Sequence, residues 1–314
     1  MKKLIVFTLA SLCSAVALAG QQIDKSLDAD PDGYVQIENL TGQVKLVGWD
    51  NPQVKISGEI DDKARDLIFE RDGSQIIFKL RFPHGSSPDR DSKDDVEVFV
   101  PKNSKLSFTT FNADVEVSEL SSRTEVETVN GDIKATQLAG KVKLTTVNGK
   151  IDADNIRARE IKLETVNGRI NSNSKGAKRE EYNAVNGDIF VTSDGEDVEV
   201  GTVNGEIEAN LGKVSQFTVS TVNGRVDASM ELLPGGEVEA SSVGGSINLN
   251  FQKDVAARFE VQGHAGGNIH NEITSDKMQK NKYGPGRWLT FSTGNGNGRV
   301  EISTVHGRVK LSSR

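Results

Sequence analysis

A four-residue phrase, Thr-Val-Asn-Gly or a close variant of it, returns seven times between Arg123 and Phe251. The glycines that end the seven copies are Gly131, Gly149, Gly168, Gly187, Gly205, Gly224 and Gly245. They are 18, 19, 19, 18, 19 and 21 residues apart, which indicates a structural repeat. Such a chain must place the same local structure at the same point of every unit, and this requirement constrains the fold more than any other feature.

Apolar and polar residues alternate on both sides of each of these marker glycines. In the second unit, Val142 and Leu144 precede Gly149, and Ile151 and Ala153 follow it. The residue between the members of each pair is charged. Alternation with a period of two on both sides of a glycine indicates two half-buried strands per repeat. We therefore expect an all-β protein.

Two arrangements of these strands fit the pattern. In a meander, each Asn-Gly would close a hairpin, and neighbouring strands would pair antiparallel. In a solenoid, each coil would stack on the next, with like residues one above another. The same chemistry recurs at each position of the repeat, which favours stacking, because antiparallel neighbours require complementary rather than identical side chains. We expect a flattened two-sheet β-solenoid with 18–19-residue coils and two short strands per coil.

Stacking would bring the asparagine of each phrase beside that of the next unit. Each side-chain amide would then hydrogen-bond to the next one about 4.8 Å away. A second role for Asn-Gly is backbone geometry, because this pair suits a corner that requires positive φ. Both roles can hold together. The predicted ladder consists of Asn130, Asn148, Asn167, Asn186, Asn204 and Asn223.

The first 19 residues have the organisation of a secretory signal peptide. Lys2 and Lys3 precede an apolar run that ends at the small-residue site Ala17-Leu-Ala19. Cleavage after this site would remove Cys13, the single cysteine, and leave a mature chain without a disulfide or a thiol nucleophile. No later stretch approaches 18 consecutive apolar residues. We expect a periplasmic or secreted protein with no membrane insertion after signal cleavage.

The remaining chain divides into an N-terminal β segment and a repeat domain. Residues 20–100 form the N-terminal β segment, with a mobile loop at 83–95 that lacks any large apolar residue. Residues 101–314 form the β-solenoid repeat domain, which contains an irregular excursion at 252–291. Strand-forming residues then return in register, and we expect the C-terminus to close the stack.

The net charge of the chain limits the classes of partner that it can bind. Without Lys2 and Lys3, 36 of the 38 Lys and Arg remain against 45 Asp and Glu, a net charge of −9. An acidic exported protein is a poor ligand for nucleic acid or for anionic lipid head groups. We expect an envelope protein or a polysaccharide as partner, and no nucleic acid.

Signals for catalysis, a cofactor or a metal are weak. His264 and His270 form an isolated pair with no cysteine beside them, so we expect neither a metal nor a cofactor. Parallel β-helix enzymes that cut acidic polysaccharides carry acidic and basic residues on one outer face. The residues that offer such a face here are Asp152, Asp154, Glu160, Glu164, Lys150, Lys162 and Arg169. Mixed signs along each strand are typical of a solvated sheet surface, so we expect no enzyme.

Partner binding is expected on the least regular surface, because loops held by a rigid scaffold collect binding residues. The candidates are the 83–95 loop and the 252–291 excursion. The excursion carries Trp288, one of only two tryptophans, and tryptophan is enriched at binding hot spots. An alternative role for this tryptophan is to cap the end of the core. The candidate partner-binding residues are His264, Lys280, Lys282 and Trp288.

Several motifs together resemble one bacterial family. They are the repeated T-V-N-G-x-I-x-A phrase, Val100-Pro-Lys102, Leu40-Thr-Gly-Gln-Val44 and Ser303-Thr-Val-His-Gly-Arg-Val309. The combination is similar to the toast-rack family, also called putative adhesins, over most of residues 34–314. The resemblance implies a flattened β-solenoid of two facing sheets in an envelope-associated protein. Some relatives accompany envelope-stress or sensory systems, and none supplies catalytic residues to carry over.

These inferences combine into one hypothesis. The chain is an exported, non-catalytic β-repeat protein that acts as a binding or scaffold module in the cell envelope, linked to envelope sensing or stress. The alternatives are a surface adhesin and a carbohydrate-active β-helix enzyme.

Overall fold

The computed structural model describes residues 21–60, 66–81 and 94–314. The predicted signal peptide at 1–19, and all but the last two residues of the predicted 83–95 loop, lie outside these ranges. Within them the chain forms 26 strands and no helix, so no helix is present that could cross a membrane. The strands are β1 (Gln21–Asp28), β2 (Tyr34–Glu38), β3 (Gly42–Trp49), β4 (Gln53–Ile60), β5 (Asp66–Asp72), β6 (Gln75–Arg81), β7 (Asp95–Pro101), β8 (Lys105–Thr109), β9 (Ala113–Ser118), β10 (Arg123–Asn130), β11 (Ile133–Thr136), β12 (Ala139–Asn148), β13 (Ile151–Asn167), β14 (Ile170–Ser174), β15 (Arg179–Asn186), β16 (Ile189–Ser193), β17 (Asp197–Asn204), β18 (Ile207–Asn223), β19 (Arg225–Ser242), β20 (Ser246–Phe251), β21 (Ala257–Gly263), β22 (Asn268–Asn271), β23 (Gln279–Lys280), β24 (Arg287–Ser292), β25 (Gly298–Thr304) and β26 (Arg308–Ser313).

Like positions of successive repeats lie side by side in parallel strands. Between β10 and β12, Thr128 is opposite Thr146, and Asn130 is opposite Asn148. The same register continues through β13, β15, β17 and β18. A meander would have produced antiparallel pairs closed by each Asn-Gly. The prediction of an all-β solenoid is therefore confirmed.

Each coil contributes strands to two facing sheets. Sheet 1 contains the strands before each marker glycine, and sheet 2 contains those after it. In β13 the chain bends from one sheet to the other, so that its first part pairs with β14 and its second part with β15. The alternating apolar residues of both sheets point between them, and Leu144, Ile151 and Leu163 are completely buried there. The core is thus a thin aliphatic layer along the length of the stack.

The marker glycines allow the coils to stack closely. A Cβ on Gly187 would lie 1.7 Å from the carbonyl oxygen of Gly168, and a Cβ on Gly168 would lie 1.9 Å from that of Gly149. Of the seven marker glycines, Gly131 alone has φ in the positive region. Positive φ therefore explains the choice of glycine at one corner, and the close approach of backbones explains it at the others.

The N-terminal strands are threaded out of sequence order. In sheet 1, β2 lies between β6 and β8. In sheet 2, β3 lies between β7 and β9. Antiparallel strands then extend both sheets outward, with β5 beside β6 and with β4 and β1 beyond β7.

The C-terminal strands do not close the stack, so that prediction is wrong. In sheet 1, β25 lies between β19 and β21, and in sheet 2, β26 lies between β20 and β22. The excursion supplies the last coil, and β24 then runs back antiparallel to β21. Apolar alternation at Val300, Ile302, Val309 and Leu311 predicts strands with buried faces, but it does not distinguish an inner coil from a terminal one.

Candidate binding site

The asparagines of the repeated phrase form a continuous chain of hydrogen bonds along one corner. Asn148 Nδ2 donates to Asn130 Oδ1 at 2.9 Å, and Asn167 Nδ2 donates to Asn148 Oδ1 at 2.9 Å. The same bond links Asn186, Asn204 and Asn223 to the preceding member. One coil earlier, Asn130 donates to Asn112, which extends the ladder beyond the repeated phrase. Each inner member of the ladder thus uses one of its two N–H donors and one of its two acceptor lone pairs on neighbouring asparagines.

The acidic and basic residues considered for an enzyme face do not share one face. Asp152 pairs within sheet 2, whereas Glu160 pairs within sheet 1, because the chain bends between them inside β13. Lys141 donates a hydrogen bond to Glu160 and holds the pKa of that carboxyl below its usual value. These residues therefore do not form one candidate face. The chain bends near Asp154 and Asn155, where two consecutive exposed residues interrupt the alternation and Asn155 has a φ of +53°.

The N-terminal half of sheet 1 carries a lattice of ion pairs on its outer face. The Lys143 ammonium lies 2.9 Å from Glu125 and also contacts Glu127, and the hydrogen bonds to these carboxylates raise its pKa. Lys162 is placed in the same way between Glu164 and Glu181, at 3.1 and 2.9 Å. The charged side chains on this part of the face are therefore paired with one another.

The excursion forms a cleft of about 440 Å³ on the outer face of sheet 1, at the C-terminal end of the stack. Strand β21 contributes one wall, and β24 with the 281–286 turn contributes the other. The polar and aromatic side chains that line it are Glu260, Gln262, His264, Asn281, Tyr283, Arg287, Trp288 and Thr290.

Trp288 lies between two amide side chains. Gln262 on β21 is opposite it on one side, and Gln279 on β23 is opposite it on the other. Its side chain is 40% exposed. On the inner face of the same strand, Phe291 stacks on Phe259 with ring centroids 4.5 Å apart. Phenylalanines therefore fill the end of the core, and the tryptophan is held by a packed strand with its ring toward solvent.

The 281–286 turn places a second aromatic ring at the cleft. Tyr283 is 82% exposed and is followed by Gly284, whose φ of +90° suits glycine. The Asn281 backbone N–H donates to the Gly286 carbonyl at 3.0 Å and closes the turn. Arg287 Nη1 donates to the Gly267 carbonyl at 2.9 Å, which ties this hairpin to the preceding turn.

The structure brings two of the four predicted binding residues into the cleft. Trp288 and His264 both line it, and His264 Nε2 lies 3.2 Å from Ser303 Oγ. Lys280 lies beside the cleft on β23, and the Lys282 ammonium lies 5.5 Å from the centre of the Tyr283 ring. Gln262 was not among the predicted residues, although its alternation with the buried Val261 places it on the outer face. Tyr283, which directly precedes a Gly-Pro-Gly turn, was not among them either.

Residues 21–60, 66–81 and 94–314 contain no candidate metal site. No group of three or more His, Cys, Asp or Glu side chains in these ranges is arranged to hold an ion.

Parallel coils, an aliphatic core and a corner ladder define this protein as a β-solenoid. The chain belongs to the Toastrack DUF4097 family, whose model matches residues 70–312. This match confirms the resemblance seen in the repeated motifs. A comparison with curated proteins finds no match.

Several solved structures are similar to this chain over most of its length. A putative adhesin from Parabacteroides distasonis has 11% identity and a TM-score of 0.45, with 94% of this chain and 98% of that chain covered. A putative adhesin from Parabacteroides merdae has 11% identity and a TM-score of 0.43, with 94% and 97% covered. A putative lipid binding protein from Parabacteroides distasonis has 13% identity and a TM-score of 0.42, with 94% and 97% covered.

Proposed function

We propose that this chain is a non-catalytic binding module of the cell envelope and that the cleft around Trp288 is its binding site. The observation that carries the proposal is a half-exposed indole between Gln262 and Gln279, held by a strand whose other face is packed. An aromatic ring beside a few polar groups in a concave site is a common arrangement for ligand binding.

The other tryptophan provides a contrast. Trp49 donates its indole N–H to the Gln53 carbonyl at 2.7 Å, and its ring lies 5.1 Å from that of Phe99. Its contacts are therefore satisfied within the protein. Trp288 offers its ring to solvent, where a ligand can cover it.

The proposed location is the periplasm or the exterior of the cell. The basic and apolar pattern of residues 1–19 supports export. A scaffold role in envelope sensing or stress fits a rigid, repetitive body with its binding surface at one end.

The test uses the mature chain with Trp49→Phe, so that Trp288 is the only tryptophan. Acrylamide quenching of its fluorescence is measured with separated envelope fractions: polysaccharide, membrane vesicles and protein. We expect at least one fraction to protect Trp288 from quenching. Retention of the chain on that immobilised fraction should fall in Trp288→Ala.

Phe111→Ala is the matched control, since Phe111 is a 58% exposed aromatic residue in a coil far from the cleft. It should be retained like the unchanged chain. The proposal fails if no fraction protects Trp288, or if Trp288→Ala is retained as well as Phe111→Ala.

A further inference from the structure

A line of small polar side chains leads across sheet 1 to the cleft. Ser220 on β18, Ser241 on β19, Ser303 on β25 and Gln262 on β21 are direct neighbours on successive strands. We call these four residues the serine track. Gln262 is in turn opposite Trp288. The track and the tryptophan together span four strand spacings, about 19 Å.

One side of the serine track is apolar. The residues two positions further along each strand are Val222, Val243 and Val305, and the first two are 38% and 46% exposed. Backbone hydrogen bonds join these segments from coil to coil, and His264 takes the equivalent position in the last coil. Half-exposed valines on consecutive coils form a continuous apolar strip.

The other side of the serine track is acidic. Glu239, Glu301 and Glu260 follow one another on β19, β25 and β21. Two of these carboxylates also contact an arginine on their own strand: Glu301 contacts Arg299, and Glu260 lies 2.9 Å from Arg258. Their remaining oxygen lone pairs can accept hydrogen bonds from hydroxyl groups.

The serine track continues a row of residues that crosses sheet 1 from coil to coil. In earlier coils this row holds Glu127, Thr145, Glu164, Asn183 and Gly201, and of these the two glutamates take part in the ion-pair lattice. From Ser220 to Gln262 the track itself contains no charged side chain. Glu164 is the last charged residue of the row, and every later position up to Gln262 is uncharged.

We propose that the serine track and the Trp288 cleft together bind one linear, uncharged polysaccharide that crosses the strands. This inference rests on the proposed function and names its ligand class. Sugar rings have apolar C–H faces and hydroxyl rims. The indole and the valine strip contact the faces, while the serine hydroxyls, the Gln262 amide and the glutamates bond the rims.

Other ligand classes fit this surface less well. The carboxylates of Glu239, Glu301 and Glu260 accept hydrogen bonds but donate none, so they suit the hydroxyls of an uncharged polymer better than the carboxylates of an acidic one. An acyl chain would bury the serine hydroxyls without hydrogen-bond partners. A peptide that adds a strand needs an open sheet edge, whereas β19, β25 and β21 each have a neighbouring strand on both sides.

The experiment blocks the track at a distance from the tryptophan. Ser241→Arg is made in the mature Trp49→Phe chain, three strand spacings or about 14 Å from Trp288. The matched control is Ser229→Arg, which introduces the same side chain on β19 where that strand lies in sheet 2, opposite Asn250. Circular dichroism verifies that both variants retain the fold.

The uncharged probes are glucomannan, hydroxyethylcellulose and dextran. Polygalacturonate is the acidic probe, and phosphatidylethanolamine–phosphatidylglycerol vesicles are the lipid probe. Binding is measured by protection of Trp288 from acrylamide and by affinity electrophoresis. We expect at least one uncharged polymer to protect Trp288. Ser241→Arg should weaken its binding about tenfold or more, because the arginine side chain blocks the track. Ser229→Arg should not change it.

Each other outcome overturns a defined part of this inference. If vesicles or the envelope protein fraction protect Trp288 and no uncharged polymer does, the polysaccharide assignment is wrong while the proposed function stands. Equal protection by polygalacturonate also overturns the assignment. If Ser241→Arg binds polymer as well as Ser229→Arg, the track is not part of the site. If no probe or fraction protects Trp288, both proposals fail.

Discussion

The Tyr182 hydroxyl donates a hydrogen bond to Glu180 Oε2 at 3.1 Å, inside a core that is otherwise mostly aliphatic. Ser174 Oγ donates to the other carboxyl oxygen at 2.7 Å, and Ser172 Oγ lies 3.2 Å from the Tyr182 hydroxyl. The two serines belong to sheet 2, so this cluster joins the two sheets. The side chain of Glu180 is completely buried.

Burial raises the pKa of Glu180, because desolvation disfavours the charged carboxylate. The nearby charge of Asp194 acts in the same direction, and hydrogen bonds from Ser174, Ser193 and Tyr182 act against it. A carboxyl with a raised pKa in the folded state stabilises the fold below its unfolded pKa. That contribution is lost as pH rises through the folded pKa.

The first prediction concerns this pH dependence. As pH rises above about 4, the usual pKa of an unfolded glutamate, the unfolding free energy of the unchanged chain should fall relative to that of Glu180→Gln, which cannot ionise. Urea denaturation at several pH values measures the difference. Glu239→Gln, at an exposed position, is the control and should follow the unchanged chain. Parallel curves for Glu180→Gln and the unchanged chain would show that this carboxyl does not titrate with folding.

The second prediction concerns the asparagine ladder. Asn167→Ala removes one donated and one accepted hydrogen bond, at 2.9 and 3.1 Å. Because the ladder is exposed to water, we expect a loss of about 1 kcal/mol, at the lower end of the range for buried pairs. Asn223→Ala should lose about half as much, because Asn223 donates to Asn204 but faces Gly244, which has no side chain. Urea denaturation measures both variants, and equal losses would show that the side-chain hydrogen bonds of the ladder do not determine the loss of stability.

The repeat could be predicted from the sequence because every coil has the same pattern of residues. The spacing of the marker glycines predicted the length of a coil. The alternation of apolar and polar residues predicted the two sheets and the buried positions. Marker positions gave the register, as the pairing of Asn130 with Asn148 confirms. These features are local or nearest-neighbour properties, which a single chain pattern can encode.

The ends of the stack could not be predicted in the same way. Strands β25 and β21 have the same alternation, so the pattern does not determine which of them lies against β19. The cleft depends on this order, because it places Gln262 next to both Ser303 and Trp288. Trp288 could be selected from the sequence because tryptophan is rare in this chain, but the residues around it depend on the order of the strands.

The third prediction concerns the close stacking of the corners. In Gly187→Ala, the new Cβ would lie 1.7 Å from a backbone carbonyl oxygen, so the coils must separate. We expect a loss of at least about 3 kcal/mol in unfolding free energy, measured by urea denaturation. Gly176→Ala is the matched control: its φ of +71° is unfavourable for alanine, but no atom lies within 4 Å of the new Cβ. Its loss should be about 1 kcal/mol, and similar losses for both variants would contradict the steric role.

The last prediction tests the inserted C-terminal strands by disulfide formation, in a chain that begins at Gly20 and otherwise lacks cysteine. Lys310 on β26 is opposite Asn248 on one side and His270 on the other. Cysteine pairs at positions 248 and 310, and at 270 and 310, should therefore form disulfides under mild oxidation. The pair at 248 and 270 is two strand spacings apart, about 9.6 Å, which exceeds the reach of a disulfide. A stack in sequence order would make that third pair adjacent, so its rapid oxidation, together with failure of the 248 and 310 pair, would show that the C-terminus lies at the end of the stack.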